Sequence, residues 1–532
     1  MSQPDLDVVI VGAGFSGIFA LHRLRQLGFT ARVIERASDV GGTWFWNRYP
    51  GARCEVQSMS YSYSFDEDLE QEWRWPHRYA YQADILRYAA YVVERFDLRR
   101  DMVFATTVTS ARYDEGACLW TVETDPGEAV SARFLILATG CLSQPNWPGF
   151  EGLNRFEGQV IHTAYWPHEG VDFTGQRVGV IGTGASGVQT IPQVAKEAAH
   201  LTVFQRSANF AVPARNTPMS ESYEADIKSR YPELREAARA SLSADFWEGG
   251  EVAMAELSPK AQEARLEQMW VQGGFALQYG FSDLLTDRVS NDVAAEFVRG
   301  KIRETVADAD TARVLSSQNH PLGTKRLCVD DGYFETFNRE NVDLVDLRST
   351  PIEKVVSDGI VTGGTHHALD ALILATGFDA FTGAVGRIDI AGLSGQRLKP
   401  LWDHSADSYL GLAVVGFPNM FTVTGPGSPS VFTNMMVAIE QHVHWISDCL
   451  GYMRQHGHRE IAALPEAQAK WCRRVQKLAA RTLYGQAQSW YKGANIDGKS
   501  DTFLAFVGGQ GPYKAICDRV AEREYDGFSF RA

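Results

Sequence analysis

Short apolar runs recur along the chain, and the strongest of them end in small residues. Residues 6–17, Leu-Asp-Val-Val-Ile-Val-Gly-Ala-Gly-Phe-Ser-Gly, form a β-rich run entering a glycine cluster, and residues 177–187, Arg-Val-Gly-Val-Ile-Gly-Thr-Gly-Ala-Ser-Gly, repeat it. A second pair of runs matches almost letter for letter: Phe134-Leu135-Ile136-Leu137-Ala138-Thr139-Gly140 and Leu372-Ile373-Leu374-Ala375-Thr376-Gly377-Phe378-Asp379. Apolar strands that stop at small-residue turns and alternate with helical spacing are the pattern of parallel sheets crossed by helices. Two copies predict an α/β protein with two Rossmann-like dinucleotide-binding domains.

Between about residues 217 and 320 the strand-like runs give way to Ala-, Glu- and Arg-rich sequence. Ser258-Pro259 suits an N-cap with proline at the first helical position. Val293, Phe297, Val298 and Ile302 fit one helix face. A helical insertion in the second domain is therefore expected. Near 431–452, Met436, Ile439, Val443, Ile446 and Leu450 fall at spacings of three and four, a core stripe. The expected plan is a first dinucleotide-binding domain from 1–143 and 379–532. The second takes 144–216 and 329–378, with the insertion at 217–328.

A chain of 532 residues accommodates two or three such domains, and its 45% hydrophobic and 22% charged content is that of an ordinary globular protein. The net charge of −14, without lysine or arginine runs, argues against nucleic acid or an anionic membrane as the main partner. The N-terminus has no positively charged stretch of the secretory type. No run reaches the roughly 18–20 uncharged apolar residues of a membrane span. The seven cysteines are scattered and form no Cys-x-x-Cys pair, which disfavours a disulfide framework, a metal site and a dithiol centre. Reduced thiols in a cytoplasmic protein, with no metal, are expected.

Gly12-x-Gly14-x-x-Gly17 lies between a strand and a helical run from Ile18 to Leu27. Glycines there allow a tight turn and let backbone N–H groups approach a pyrophosphate at the positive end of a helix. The next strand, Ala31 to Ile34, leads to Glu35, placed where a carboxylate accepts hydrogen bonds from ribose hydroxyls. Gly41-Gly42-Thr43-Trp44, continuing through Arg48 to Cys54, suits a loop over a flat ring and equally an irregular packing loop. In the second motif, Gly182-x-Gly184-x-x-Gly187, the following strand ends in Gln205-Arg206-Ser207. Arg206 stands where an NAD-specific site carries an acid, so a guanidinium and a hydroxyl await a 2′-phosphate and NADPH is favoured over NADH. FAD and NADPH on one chain, without a paired thiol, point to a reductase, an oxidase or a monooxygenase.

Residues 156–167, Phe-Glu-Gly-Gln-Val-Ile-His-Thr-Ala-Tyr-Trp-Pro, resemble the fingerprint of type I Baeyer–Villiger monooxygenases, with Phe156, Gly158, His162, Trp166 and Pro167 at the matching positions. The resemblance extends over nearly the whole chain and is strongest to the phenylacetone and steroid monooxygenase branch. It includes Arg48-Tyr49-Pro50-Gly51-Ala52-Arg53, Gly323-Thr324-Lys325-Arg326, Gly425-Pro426-Gly427-Ser428-Pro429-Ser430 and Ser489-Trp490-Tyr491. It implies that a C4a-peroxyflavin inserts one oxygen atom of O2 beside a ketone carbonyl, giving an ester or lactone. N- or S-oxygenation, and a non-catalytic flavin sensor, are the alternatives.

The resemblance further implies that Arg326 is catalytic and that Lys325, Arg206 and Ser207 hold the 2′-phosphate. Thr43 and Trp44 belong to the flavin side, Trp490 to the nicotinamide and substrate side, and the fingerprint to the interdomain linker. Val56, Cys141, Phe432 and Met435 fall at substrate-lining positions, although Phe432 and Met435 also suit plain core packing. Without the resemblance, Lys325-Arg326 reads as a solvated basic pair. One position departs: Glu55, which the resemblance implies holds the Arg326 guanidinium in the catalytic site, stands where the family usually has aspartate. Its extra methylene displaces the carboxylate by over about 1 Å on a fixed backbone, a misplacement that can cost on the order of a hundredfold in rate. A small ketone and O2 are the expected partners, and a monomer the expected state.

Overall fold

The computed structural model describes all residues except 1–3, 126, 247–249, 497, 500 and 501. Two sheets organise it. In the larger, the central strand Leu6–Val11 pairs in parallel with Ala31–Ile34 on one side and Ala129–Leu137 on the other. The sheet extends to Met102–Val103 at one edge and, through the antiparallel strands Leu119–Asp125 and Thr107–Asp114, to Asp389–Ala391 at the other. Met420–Thr422 also pairs with Ala129–Leu137, so the last third of the chain returns to the first sheet.

The second sheet is parallel throughout, in the order Val342–Asp346, His200–Gln205, Arg177–Ile181, Ala371–Leu374, Gln159–His162. Its centre copies that of the first. Arg177–Ile181 lies between the strand after its glycine helix and a strand that ends in Ala-Thr-Gly. The two matched pairs of runs in the sequence are thus the same two positions in two sheets.

The third glycines show why the repeat needs them. A Cβ on Gly17 would sit 1.8 Å from the Gly12 carbonyl oxygen, and one on Gly187 2.2 Å from that of Gly182. Gly12 and Gly182 have φ of 108° and 110°, and a Cβ on either would meet the carbonyl oxygen of Ala138 or Ala375, 2.6 and 2.3 Å away. Only glycine lets helix, loop and neighbouring strand close together there.

Among the described residues six α-helices occupy Glu221–Leu315, flanked by the short parallel pair Ala211–Pro213 and Cys328–Asp330. Pro259–Gln272 begins as expected, Ser258 accepting from Ala261 N. The helix Arg288–Thr305 buries Ala294, Ala295, Val298 and Ile302, but Val293 is 37% exposed and Phe297 only half-buried. The expected face is therefore shifted, because the two alanines let the helix approach its neighbours closely and turn Val293 outward. Met435–His456 buries all five residues of the expected stripe. Among the described residues no helix is long and apolar enough to cross a membrane.

Candidate active site

A cavity of about 1260 Å³ runs between the two sheets and receives both glycine loops. It exceeds the roughly 300–1,000 Å³ of a site for one small ligand. Gly12, Gly14, Gly182 and Gly184 line it, whereas Gly17 and Gly187 are packed behind, so the last two serve helix packing and not ligand contact. The helices Phe15–Gln26 and Ala185–Glu197 both begin without a side-chain cap, leaving first-turn N–H groups to face the cavity. A Cβ on Gly184 would meet nothing within 4 Å. That open ground at two helix N-termini fits two pyrophosphates.

Glu35 is buried at the end of its strand, and its carboxylate accepts from Ala13 N at 2.6 Å and Ala37 N at 2.7 Å. These bonds fix both oxygens beside the first glycine loop with acceptor capacity left over, as a ribose diol requires. Thr43 and Trp44 line the same end; they belong to a single helical turn, Thr43–Trp46, not to an irregular loop. Gly42 and Gly14 are so close that a Cβ on Gly42 would sit 2.8 Å from Gly14 Cα, which seats that turn against the first glycine loop. Trp44 Nε1 donates to Tyr61 Oη at 3.2 Å.

At the other end Arg206, Ser207 and Lys325 line the cavity. Burial draws the Lys325 ammonium below its ordinary range, and the Arg206 charge adds to this. Among the described residues neither cation has a carboxylate partner. Two cations forced together without an anion fit a phosphate monoester.

Arg326 stands between these ends, in the loop before Cys328–Asp330. Its Nε donates to Glu55 Oε2 at 2.8 Å, and its guanidinium lies 5.4 Å from the Phe275 ring centroid. The extra methylene of Glu55 therefore does not prevent the pairing. Burial alone would lower the Arg326 pKa, but the Glu55 carboxylate and Tyr491 outweigh it and push it above the ordinary arginine range. The side chain keeps 32% of its surface open although protein walls surround it, because it lines the cavity.

What aims Arg326 is a double clamp. Glu55 Oε1 accepts from Val329 N at 3.1 Å, and Arg53 Nη2 donates to Val329 O at 2.5 Å. The segment Tyr49–Glu55 that supplies this clamp is held to the helix Ala185–Glu197 by Gln189, whose Oε1 accepts from Tyr49 Oη and Arg53 N and whose Nε2 donates to Arg53 O. Sequence reasoning gave Gln189 no role. Its neighbours on the helix face include Ser186 and Gln193, so no local pattern set it apart.

Val56, Cys141, Met435 and Trp490 line the main cavity, whereas Phe432 does not. Phe432 lines a smaller cavity adjoining Arg326 and packs on Tyr491 at 4.4 Å between ring centroids. Burial pushes the Cys141 thiol up to about 11, so it is a small neutral wall residue. Trp490 packs on Phe381, and its segment is tied down by Asn495 Nδ2 donating to Phe378 O.

None of Phe156, Gly158, His162, Trp166 and Pro167 reaches the cavity. His162 Nδ1 accepts from Ala164 N at 3.1 Å and its Nε2 lies 3.2 Å from Thr376 Oγ1, which donates to Asn146 O. Burial lowers its pKa to about 4, so it is neutral and joins the linker to the Ala-Thr-Gly turn.

A family model described as pyridine nucleotide-disulphide oxidoreductase matches residues 9–252, a span that holds both glycine motifs and no Cys-x-x-Cys. A Baeyer–Villiger monooxygenase of Pseudooceanicola batsensis is 41% identical, covering 98% of this chain and 95% of that protein. A phenazine N-monooxygenase of Lysobacter antibioticus is 40% identical, covering 99% and 97%. The solved structure of an oxidized steroid monooxygenase bound to NADP is 49% identical, covers 99% of each chain and superposes with a TM-score of 0.95. The chain belongs to the type I Baeyer–Villiger monooxygenases, flavoenzymes that use FAD and NADPH.

Proposed function

We propose that this chain inserts one oxygen atom of O2 beside the carbonyl of a small ketone, with Arg326 as its catalytic charge. The observation that carries the reading is a guanidinium held by Glu55 at the wall of a cavity that also receives two dinucleotide loops. Bound FAD and NADPH supply hydride transfer and the activation of dioxygen.

The chain's own part is position, charge and dryness. Gly12, Gly14, Glu35, Thr43 and Trp44 would hold FAD, and Gly182, Gly184, Arg206, Ser207 and Lys325 would hold NADPH. Arg326 remains cationic throughout and presents planar donors to negative charge developing on the carbonyl oxygen. Glu55 and Arg53, acting through Val329, keep that fork from drifting. Val56, Cys141, Met435 and Trp490 exclude water from the reacting carbon. Phe432 acts one layer back, shaping the annex beside Arg326. The proposed division of the chain is 1–143 and 379–532 for FAD, 144–216 and 329–378 for NADPH, and 217–328 as the insertion. It is supported by the sorting of strands between the two sheets. We take the working unit to be a monomer.

N-oxygenation is the second reading, favoured by the 40% identity to a phenazine N-monooxygenase. Incubation with NADPH, O2 and a panel of ketones, sulfides and aromatic N-heterocycles separates the two. Esters or lactones are expected; N-oxides without any ester would select the second reading. Arg326→Ala should lose ester formation by at least about a hundredfold while the flavin is still reduced by NADPH. Unchanged ester yield would remove Arg326 from its role.

A further inference from the structure

Arg326 and Val56 line both the main cavity and an adjoining annex of about 30 Å³, room for one or two waters. Asp245, Gln278, Tyr279 and Asn434 contribute polar side chains to its wall. Asp245 is the unexpected one: an acid only 5% exposed, in the helical insertion, facing the compartment that holds the catalytic guanidinium.

Its placement is built. Ser241 and Leu242 carbonyls accept from Gly511 N and Gln510 N, and Ser243 O accepts from Asn434 N at 2.8 Å. Ala244 then adopts φ 58°, a conformation costly for a residue with a Cβ, and this turns the following side chain inward. Asp245 Oδ1 accepts from Phe246 N at 2.8 Å, and Ser60 lies beside the carboxylate and lowers its pKa. Ser60 Oγ in turn accepts from Asn434 Nδ2 at 2.9 Å. A carboxylate offers about four acceptor sites, and the Phe246 bond leaves others for a donor in the annex that Asp245 lines. Among the described residues Asp245 has no ion-pair partner, since the nearby Arg235 is engaged by Glu70 at 2.8 Å. Burial raises its carboxyl above the ordinary range, partly offset by Ser60 and Phe246 N–H.

We infer that Asp245 selects ketones carrying a hydroxyl group a few bonds from the carbonyl, accepting that hydroxyl in the annex while the carbonyl lies by Arg326. An apolar group of the same size would strip water from the carboxylate and return no hydrogen bond, the circumstance in which a buried polar site discriminates most strongly. The inference rests on the ketone-oxygenating reading.

The test compares 4-hydroxycyclohexanone with the near-isosteric 4-methylcyclohexanone, each followed as lactone formed, in wild type, D245L and the control V293A. The wild type should favour the hydroxylated ketone in kcat/KM by about tenfold or more. D245L should erase the preference, mainly by raising KM for the hydroxylated ketone, whereas V293A, on an exposed helix face of the same insertion, should retain it. The ratio of two ketones within one protein cancels any loss of folded enzyme. If D245L fails to fold, D245N, which keeps the acceptor for Phe246 N, should lower the ratio several-fold. Lactone from both ketones with a wild-type ratio near one, or a ratio unchanged in both Asp245 variants, overturns the inference. Absence of lactone from either ketone in wild type defeats the underlying reading instead, and this inference with it.

Discussion

Arg206 and Lys325 illustrate how far single residues carry the account. Each faces the cavity, each lacks a carboxylate among the described residues, and the pair repels itself until an anion arrives. Arg206→Ala should therefore raise KM for NADPH by about tenfold or more and leave KM for NADH nearly unchanged, as steady-state kinetics with both nucleotides would show. Equal losses for the two would defeat the phosphate assignment. Glu55 shows the limit of letters. Its identity warned of a displaced carboxylate, yet Arg53 and Gln189 set the loop so that Oε2 still reaches Arg326. That outcome depends on backbone placement across two sheets, which no local pattern encodes.

Elements announced themselves where a local rule had one solution. The glycine turns were legible because a tight turn under a helix N-terminus admits little else, and the stripe of Met435–His456 because all five positions meet one core. The face of Arg288–Thr305 was not, because its contact is made by small Ala294 and Ala295 while the larger Val293 turns outward. This contrast is measurable. Ile446→Ala should destabilise by about 2–5 kcal/mol through a cavity in the core, and Val293→Ala by no more than about 0.5 kcal/mol. Thermal melts of the two variants side by side would check this; comparable losses would mean that the helix faces are misassigned. The fingerprint segment belongs to the same scale: its spacing was legible, but its work, joining Asn146, His162 and Thr376, emerges only once the strands are paired.

Across the whole molecule, burial keeps several histidines neutral: it lowers His22 and His162 to about 4, and His320 and His442 to about 3. The unfolded chain takes up protons near 6.5 that the fold refuses, so stability falls as pH drops from about 6.5 towards 4. Asp330 opposes this, because burial raises it to about 7 and the folded state then holds a proton the unfolded chain has lost. Each tenfold difference in proton affinity between the folded and unfolded chain is worth roughly 1.36 kcal/mol, so the four large histidine shifts outweigh Asp330 and the smaller upward shifts of Asp245, Glu70 and Glu440. The melting temperature should thus be lower at pH 5 than at pH 7.5, and the difference smaller in His442→Gln; a pH-independent melt would contradict the neutral histidines. The central claim concerns where oxygen goes, and isotopic labelling tests it most directly. Under ¹⁸O2 with NADPH and 4-methylcyclohexanone, mass spectrometry of the product should find one ¹⁸O in each lactone molecule. Lactone without label, or NADPH consumed with no oxygenated ketone product, would contradict the account.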